Sequence, residues 1–230
     1  MTEMISNSLF FGVAVSVFAY ECGVWLKKKW KMAIFNPLLI SIAAVIIILK
    51  VFHIEYNAYN EGAKYLSYFL TPATVCLAVP LYEQIELLKK NMAAILVGIF
   101  SGALSSVTCI WLMSKTFRLN HEQYVTLLPK SITTAIGMGV SEELGGIVTI
   151  TVAVIVITGV LGNIIAENVC RIFYIEESIA KGIAIGSAAH AVGTAKAIEI
   201  GEIEGAMSGL SIAVSGIITV GLASIYANFL

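Results

Sequence analysis

Long, continuous apolar runs alternate with short polar connections along the whole chain, which predicts a bundle of membrane helices rather than amphipathic elements around a water-soluble core. The smooth runs are residues 5–26, 37–52, 93–113, 146–166 and 206–230, each near the roughly 20 residues a spanning helix needs. A sixth run, residues 65–82, is short and interrupted by Pro72 and Pro80, so a kinked or broken helix is expected there.

Two further stretches have helical length but the wrong surface for lipid. Residues 124–143 carry Pro129, Lys130, Ser131, Thr133, Thr134, Gly137 and Gly139, which cannot all face hydrocarbon. Residues 181–205 are dominated by alanine and glycine and set His190, Thr194 and Lys196 among them. Breaks are expected at Pro129, Gly137 and Gly193. Backbone groups freed at such breaks must be satisfied inside protein or by water.

The interrupted stretches share a unit. Ala78-Val79-Pro80 precedes Glu86, Ala135-Ile136-Gly137 precedes Glu143, and Ala191-Val192-Gly193 precedes Glu199, with the breaker six residues before the glutamate each time. A long apolar span follows each one. The pattern reads as three copies of interrupted segment, cytoplasmic elbow and full span. Two crossings per copy make the copies parallel; re-entrant segments, with an odd number of crossings, make them inverted. Shared small-residue composition is the competing explanation.

Polar connections give the expected sidedness. Lys27, Lys28, Lys29 and Lys31 follow the first span, which Glu3 precedes in place of a basic leader, so that span reads as retained with the cluster cytoplasmic and the N-terminus outside. Residues 53–63 then form an external polar loop, 83–91 a cytoplasmic loop with Lys89 and Lys90, and 114–122 an external connection. The fold expected is an all-α polytopic membrane protein of about seven or eight spanning or re-entrant helices, residues 1–230 forming one integral membrane domain.

Composition agrees with this class: 58% hydrophobic and 13% charged residues, with a mean hydropathy of +0.90. A net charge of −1 argues against a nucleic-acid partner. Cys22, Cys76, Cys109 and Cys170 are scattered without a C-x-x-C pair, so neither a metal site nor a disulfide framework is expected. No cofactor motif is present.

The motifs PATVCLAVPLY (72–82), LLPKSITTAIG (127–137), SEELGG (141–146) and AKGIAIGSAAHAVGTAKA (180–197) closely resemble the LrgB/CidB family of bacterial membrane proteins, on its CidB/YohK-like side. The resemblance covers essentially the whole chain and extends to the plastidal glycolate/glycerate translocator. It implies a multi-pass protein of the bacterial cytoplasmic membrane, encoded beside a small LrgA/CidA-type membrane partner. The family is described as holin/antiholin-like and linked to murein hydrolase activity and lysis, while some members transport glycolate, glycerate or pyruvate.

A small-carboxylate carrier, working as a homo-oligomer among membrane lipids, fits the residues. A helix start after Pro129 attracts an anion, and Lys130, Ser131, Thr133 and Thr134 add charge and hydroxyl donors. His190, with an ordinary pKa near 6.5, suits proton-linked binding, and Thr194 joins the same lining. Competing readings are a Lys130 that snorkels, threonines bonded to their own backbone, and a His190 that bonds a neighbouring carbonyl. A holin-like pore is the rival function. An intramembrane hydrolase pairing Ser131 or Ser187 with His190 is disfavoured, since no G-x-S-x-G motif is present.

Overall fold

The computed structural model describes residues 10–30, 35–76 and 78–230, and every regular element among them is helical. Glu3, the first residues of the 5–26 run and Lys31 lie outside the described residues. The chain divides into two compact units, Met1–Cys76 and Leu77–Leu230. Among the described residues, four helical stretches are long and apolar enough to cross a membrane: Tyr56–Glu83, Ile85–Phe117, Val148–Ile172 and Glu202–Phe229. The protein is a multi-pass membrane protein.

The first unit contains α1 (Phe11–Trp30), α2 (Pro37–Val51), α3 (Tyr56–Ser67) and α4 (Leu70–Cys76). Asn36 caps α2 by accepting from the Leu38 and Leu39 amides, and Pro37 occupies the first turn, where its missing N–H costs nothing. Gly23 lets α1 approach the Pro37 backbone, and Gly12 does the same at Tyr59 and Ala63 of α3. The Ser16 and Tyr59 hydroxyls meet at 2.7 Å. Most of the expected 53–63 loop is therefore helix: Tyr59 and Gly62, three residues apart, give it a face that packs on α1. Pro72 lies in the first turn of α4, after the turn at Tyr68 and Phe69.

The second unit contains α5 (Ala78–Glu83), α6 (Ile85–Phe117), α7 (His121–Leu127), α8 (Thr134–Glu143), α9 (Val148–Ile172), α10 (Ser178–Ile200) and α11 (Glu202–Tyr226), then a 3₁₀ turn, Ala227–Phe229. Pro80 lies inside α5. The loop expected at 83–91 shrinks to Gln84, because 85–91 is rich in good helix formers and contains neither glycine nor proline. At 33 residues α6 is about 50 Å long, absorbing the start of the expected 114–122 connection. Arg118 ends it in the left-handed conformation, and Asn120 and Gln123 close a capping box that starts α7.

Neither interrupted segment crosses. In α10 the backbone leaves helical geometry at Ala189 (φ −129°, ψ 16°) and His190 (φ 42°, ψ −143°). The chain then doubles back: a Cβ at Gly193 would lie 3.2 Å from the Ile185 carbonyl oxygen, whereas eight residues of straight helix separate two positions by about 12 Å. Ser208 of α11 meets both limbs, Gly186 on the outgoing one and Thr194 on the returning one. Likewise α7 enters and α8 returns, since Thr126 and Ser141 both bond Thr151 near the start of α9. Pro129, in the link between them, lies against Gly137.

The repeat is thus a hairpin followed by one span, α7–α8–α9 and then α10–α11. Each copy crosses once, so the two are inverted, which is the re-entrant one of the two arrangements the sequence allowed; at the third expected copy, Pro80 lies inside α5. The elbow at Glu143 lies at the Arg118 end of the unit and the elbow at Glu199 at the Lys90 end. The break expected at Pro129 is present, but those expected at Gly137 and Gly193 are displaced. The breaks fall at 128–133 and 189–190, while Gly137 and Gly193 sit inside the returning helices as points of close approach, against Ile155 and Ala189 respectively. Returning limbs of about ten residues reach about 15 Å, half the hydrocarbon thickness of roughly 30 Å.

Two outcomes test this architecture. Cysteines placed at Glu122 and Glu143 will be labelled by an impermeant thiol reagent from one membrane face, and cysteines at Glu176 and Glu199 from the other; labelling of 122 and 143 from opposite faces contradicts the hairpin. Gly186→Ala, whose new methyl would lie 2.8 Å from the Ser208 Cα, will lower thermal stability in detergent by about 1–3 kcal/mol. Gly139→Ala, with open space around it, will not.

Candidate functional site at the hairpin tips

The first tip begins where Pro129, lacking an N–H, ends the helical ladder. Two short turns carry the chain through Lys130 to Ile132, with Lys130 N bonded to Leu127 O and Ile132 N to Pro129 O. Thr133 is extended and leads into α8 without a side-chain cap, so the first amides of α8 lack that partner. Ser131 is buried and shares a hydrogen bond of 3.1 Å with Ser106 of α6, while Lys130, half-buried, donates from Nζ to the Ser131 hydroxyl at 2.9 Å. Thr133 and Thr134 are half-buried beside them.

The second tip turns on His190, whose φ of 42° with ψ of −143° suits glycine and strains any other residue. The residue is 4% exposed, and its ring bonds the Ile155 carbonyl of α9 through Nε2 at 3.0 Å, the role foreseen in the simpler alternative for this residue. Gly159 makes room for the ring, since a Cβ there would lie 2.6 Å from Cε1. The Asn163 amide holds the returning limb by donating to the Val192 carbonyl at 2.7 Å. Thr194, also buried, donates to the His190 carbonyl and pairs with Ser208 at 2.7 Å.

The two tips converge on shared surfaces. On α9, Ile155 bonds His190 with its carbonyl and packs on Gly137 of α8 with its side chain. On α6, Gly102 meets Ser187 and, one turn later, Ser106 meets Ser131. The helices returning from both tips start at this level and run to opposite faces, so the positive ends of their dipoles point toward one another.

Sequence reasoning missed Ser106 and Asn163, and weighed Ser187 only as a nucleophile. A signal was available for Ser187: Ser131-Ile-Thr-Thr-Ala-Ile-Gly137 and Ser187-Ala-Ala-His-Ala-Val-Gly193 align without a gap, placing serine, the break and glycine at equal spacing. The hydroxyls of both serines are buried against α6.

Backbone strain at His190 gives an unusual expectation. Replacing it by alanine keeps the strained backbone and removes the bond to Ile155; glycine removes the bond but relieves roughly 1–3 kcal/mol of strain. His190→Gly will therefore unfold at a higher temperature than His190→Ala, the reverse of the ordinary helix ranking of the two residues. Equal or inverted melting temperatures would contradict a strained tip.

Residues 16–229 match the model of the LrgB-like family. The antiholin-like protein LrgB of Bacillus mycoides strain KBAB4 is 36% identical over 222 residues, covering 96% of each chain. The proteins of the same name from Bacillus cereus strain B4264 and Bacillus anthracis strain CDC 684 match at the same identity and coverage. No solved structure matches the chain. With the match running through both hairpins and the spans that follow them, the chain belongs to the LrgB-like family.

Proposed function

We propose that the protein carries small monocarboxylates such as pyruvate or glycolate across the bacterial cytoplasmic membrane, as a transporter or a transporter subunit. The observation that carries this reading is the opposition of two returning-helix N-termini at mid-membrane, one of them without a side-chain cap and flanked by Lys130, Ser131, Thr133 and Thr134. Positive dipole ends and free amides favour a carboxylate, and Lys130 supplies the neutralising charge. His190 and Thr194 belong to this reading as the residues that shape the second tip.

The sidedness we propose follows the basic residues. Lys89, Lys90, Arg171, Lys181 and Lys196 lie toward the Lys90 end of the second unit, against Lys115 and Arg118 at the other, which supports a cytoplasmic Lys90 face. The Lys27–Lys31 cluster is assigned to the cytoplasm and the N-terminus to the outside. A cysteine at position 29 then reacts only from the cytoplasmic side. A small LrgA/CidA-type partner and homo-oligomerisation belong to the same proposal.

We do not propose enzymatic activity. The Ser187 hydroxyl is spent on the Ile183 carbonyl at 2.7 Å, Ser131 is engaged by Ser106 and Lys130, and His190 Nε2 is bonded to Ile155. Antiholin-like regulation of lysis is the second reading, favoured by the names of the relatives.

Purified protein in liposomes, with and without its small partner, separates the two. A carrier takes up labelled pyruvate or glycolate saturably while retaining a trapped dye; a pore releases the dye. Lys130→Met will reduce uptake about 10- to 100-fold, the loss expected of one hydrogen bond to a charged group, with folding intact. His190→Gln will flatten the dependence of uptake on pH, as removal of the titratable ring at the second tip requires. Wild-type uptake in both variants would dismiss these residues from the site.

A further inference from the structure

The second unit is sealed toward one end and grooved toward the other. At the Arg118 end, Tyr124, Val125, Leu128 and Ile132 pack on Val107 and Ile110, each no more than 5% exposed, and fill the space around the first hairpin. Toward the Lys90 end, beside a second packed cluster of Leu88, Ile95, Ile99, Ile183, Ala206 and Met207, a groove of about 700 Å³ runs between α6 and the outgoing limb of α10. That volume lies within the ~300–1,000 Å³ typical of small-molecule sites.

A line of polar groups runs along the groove between apolar side chains such as Leu87, Ile179 and Ile183. Lys90 and Glu177 stand at its mouth, Gly98, Ser101 and Ser105 line its wall, and Ser187 lies at its inner end. Along one edge of the groove α10 packs on α6: a Cβ at Gly98 would lie 3.4 Å from Ile183, and one at Gly102 would lie 2.9 Å from the Ser187 hydroxyl. Ser101 and Ser105, on the same stripe, are left exposed. One turn beyond the Gly102–Ser187 contact, Ser106 bonds Ser131 beside Lys130. The passage thus runs from a charged mouth to the serine of the second tip and stops one helical turn short of the first.

We propose that this groove is a water-filled route by which a small organic anion passes between the Lys90 face and the hairpin tips, and that the conformation described is the one open to that face. The identity of the solute rests on the transport reading; the water-filled route does not. Lys90 draws the anion to the mouth, and the absence of a side chain at Gly98 keeps the groove wide beside Ile183. The packed cluster around Tyr124 closes the opposite end.

Cysteine scanning tests the route independently of transport. In a background with Cys22, Cys76, Cys109 and Cys170 replaced, Ser101→Cys and Ser105→Cys are treated with an anionic, membrane-impermeant thiosulfonate in right-side-out and inverted vesicles. Both positions will react from the Lys90 face only. Phe100→Cys, on the opposite side of α6, will not react. Gly98→Leu, whose first added carbon has ordinary contact room, will fold, lower the labelling rate at position 105 at least tenfold, and reduce pyruvate uptake by a similar factor. Failure of both serine positions to react while Lys90→Cys does, or equal reaction from the two faces, overturns the groove. One-sided labelling in a wild-type protein that takes up no pyruvate or glycolate upholds the groove and overturns the carboxylate reading alone. Uptake without labelling overturns the groove and leaves that reading standing.

Discussion

Everything in the second unit depends on keeping backbone N–H and C=O groups bonded at the middle of a hydrocarbon layer. A chain that turns back at mid-depth frees several such groups in each tip, and each unsatisfied one costs several kcal/mol in lipid. The helices around the tips supply partners from inside the protein. Asn163 of α9 donates to the Val192 carbonyl, Thr194 caps back onto the His190 carbonyl, and the Thr126 hydroxyl accepts from the Ile147 amide where α9 begins. The hydroxyl-rich, alanine-rich character of these segments follows from that demand.

The same demand governs packing. Lipid offers no hydrophobic drive for helices to associate, so van der Waals contact and interhelical hydrogen bonds must hold the hairpins in place. Close approach requires missing side chains. Gly182 and Gly186 of α10 admit the backbone of α11 at Glu204 and Ser208, and Gly159 and Gly162 of α9 admit His190 and Ala189. Buried Ser208, Ser211, Ser215 and Thr219 line one face of α11, where a larger apolar side chain would hold the helices apart.

Much of this was legible in the sequence. The smooth spans follow from run length alone, and the two anomalous stretches announced themselves because small and polar residues there cannot face lipid. The repeated breaker-to-glutamate spacing marked the repeat, yet its direction was not visible. A 23-residue segment such as α10 has spanning length whether it crosses or folds back. Only the φ and ψ of His190 decide, and no local rule assigns a positive φ to histidine when glycines lie four residues before it and three after. Gly137 and Gly193 were natural candidates for breaks by propensity; tertiary contact uses them as spacers. At the site, Lys130 and Ser131 were found by charge and polarity. Ser106 was missed because a lone serine in an apolar helix carries no signal without its partner.

The shortness of the hairpin limbs bears on how the protein is made. A limb of about ten residues cannot anchor itself across a bilayer, since stable insertion takes roughly 20 apolar residues. Only α6, α9 and α11 of the second unit have that capacity. They must enter as independent spans, with α9 held in the orientation opposite to α6 and α11, before the hairpins have walls to fold against. During synthesis the α7–α8 and α10 segments therefore wait at opposite membrane surfaces, and their burial is a late, post-insertional step of folding.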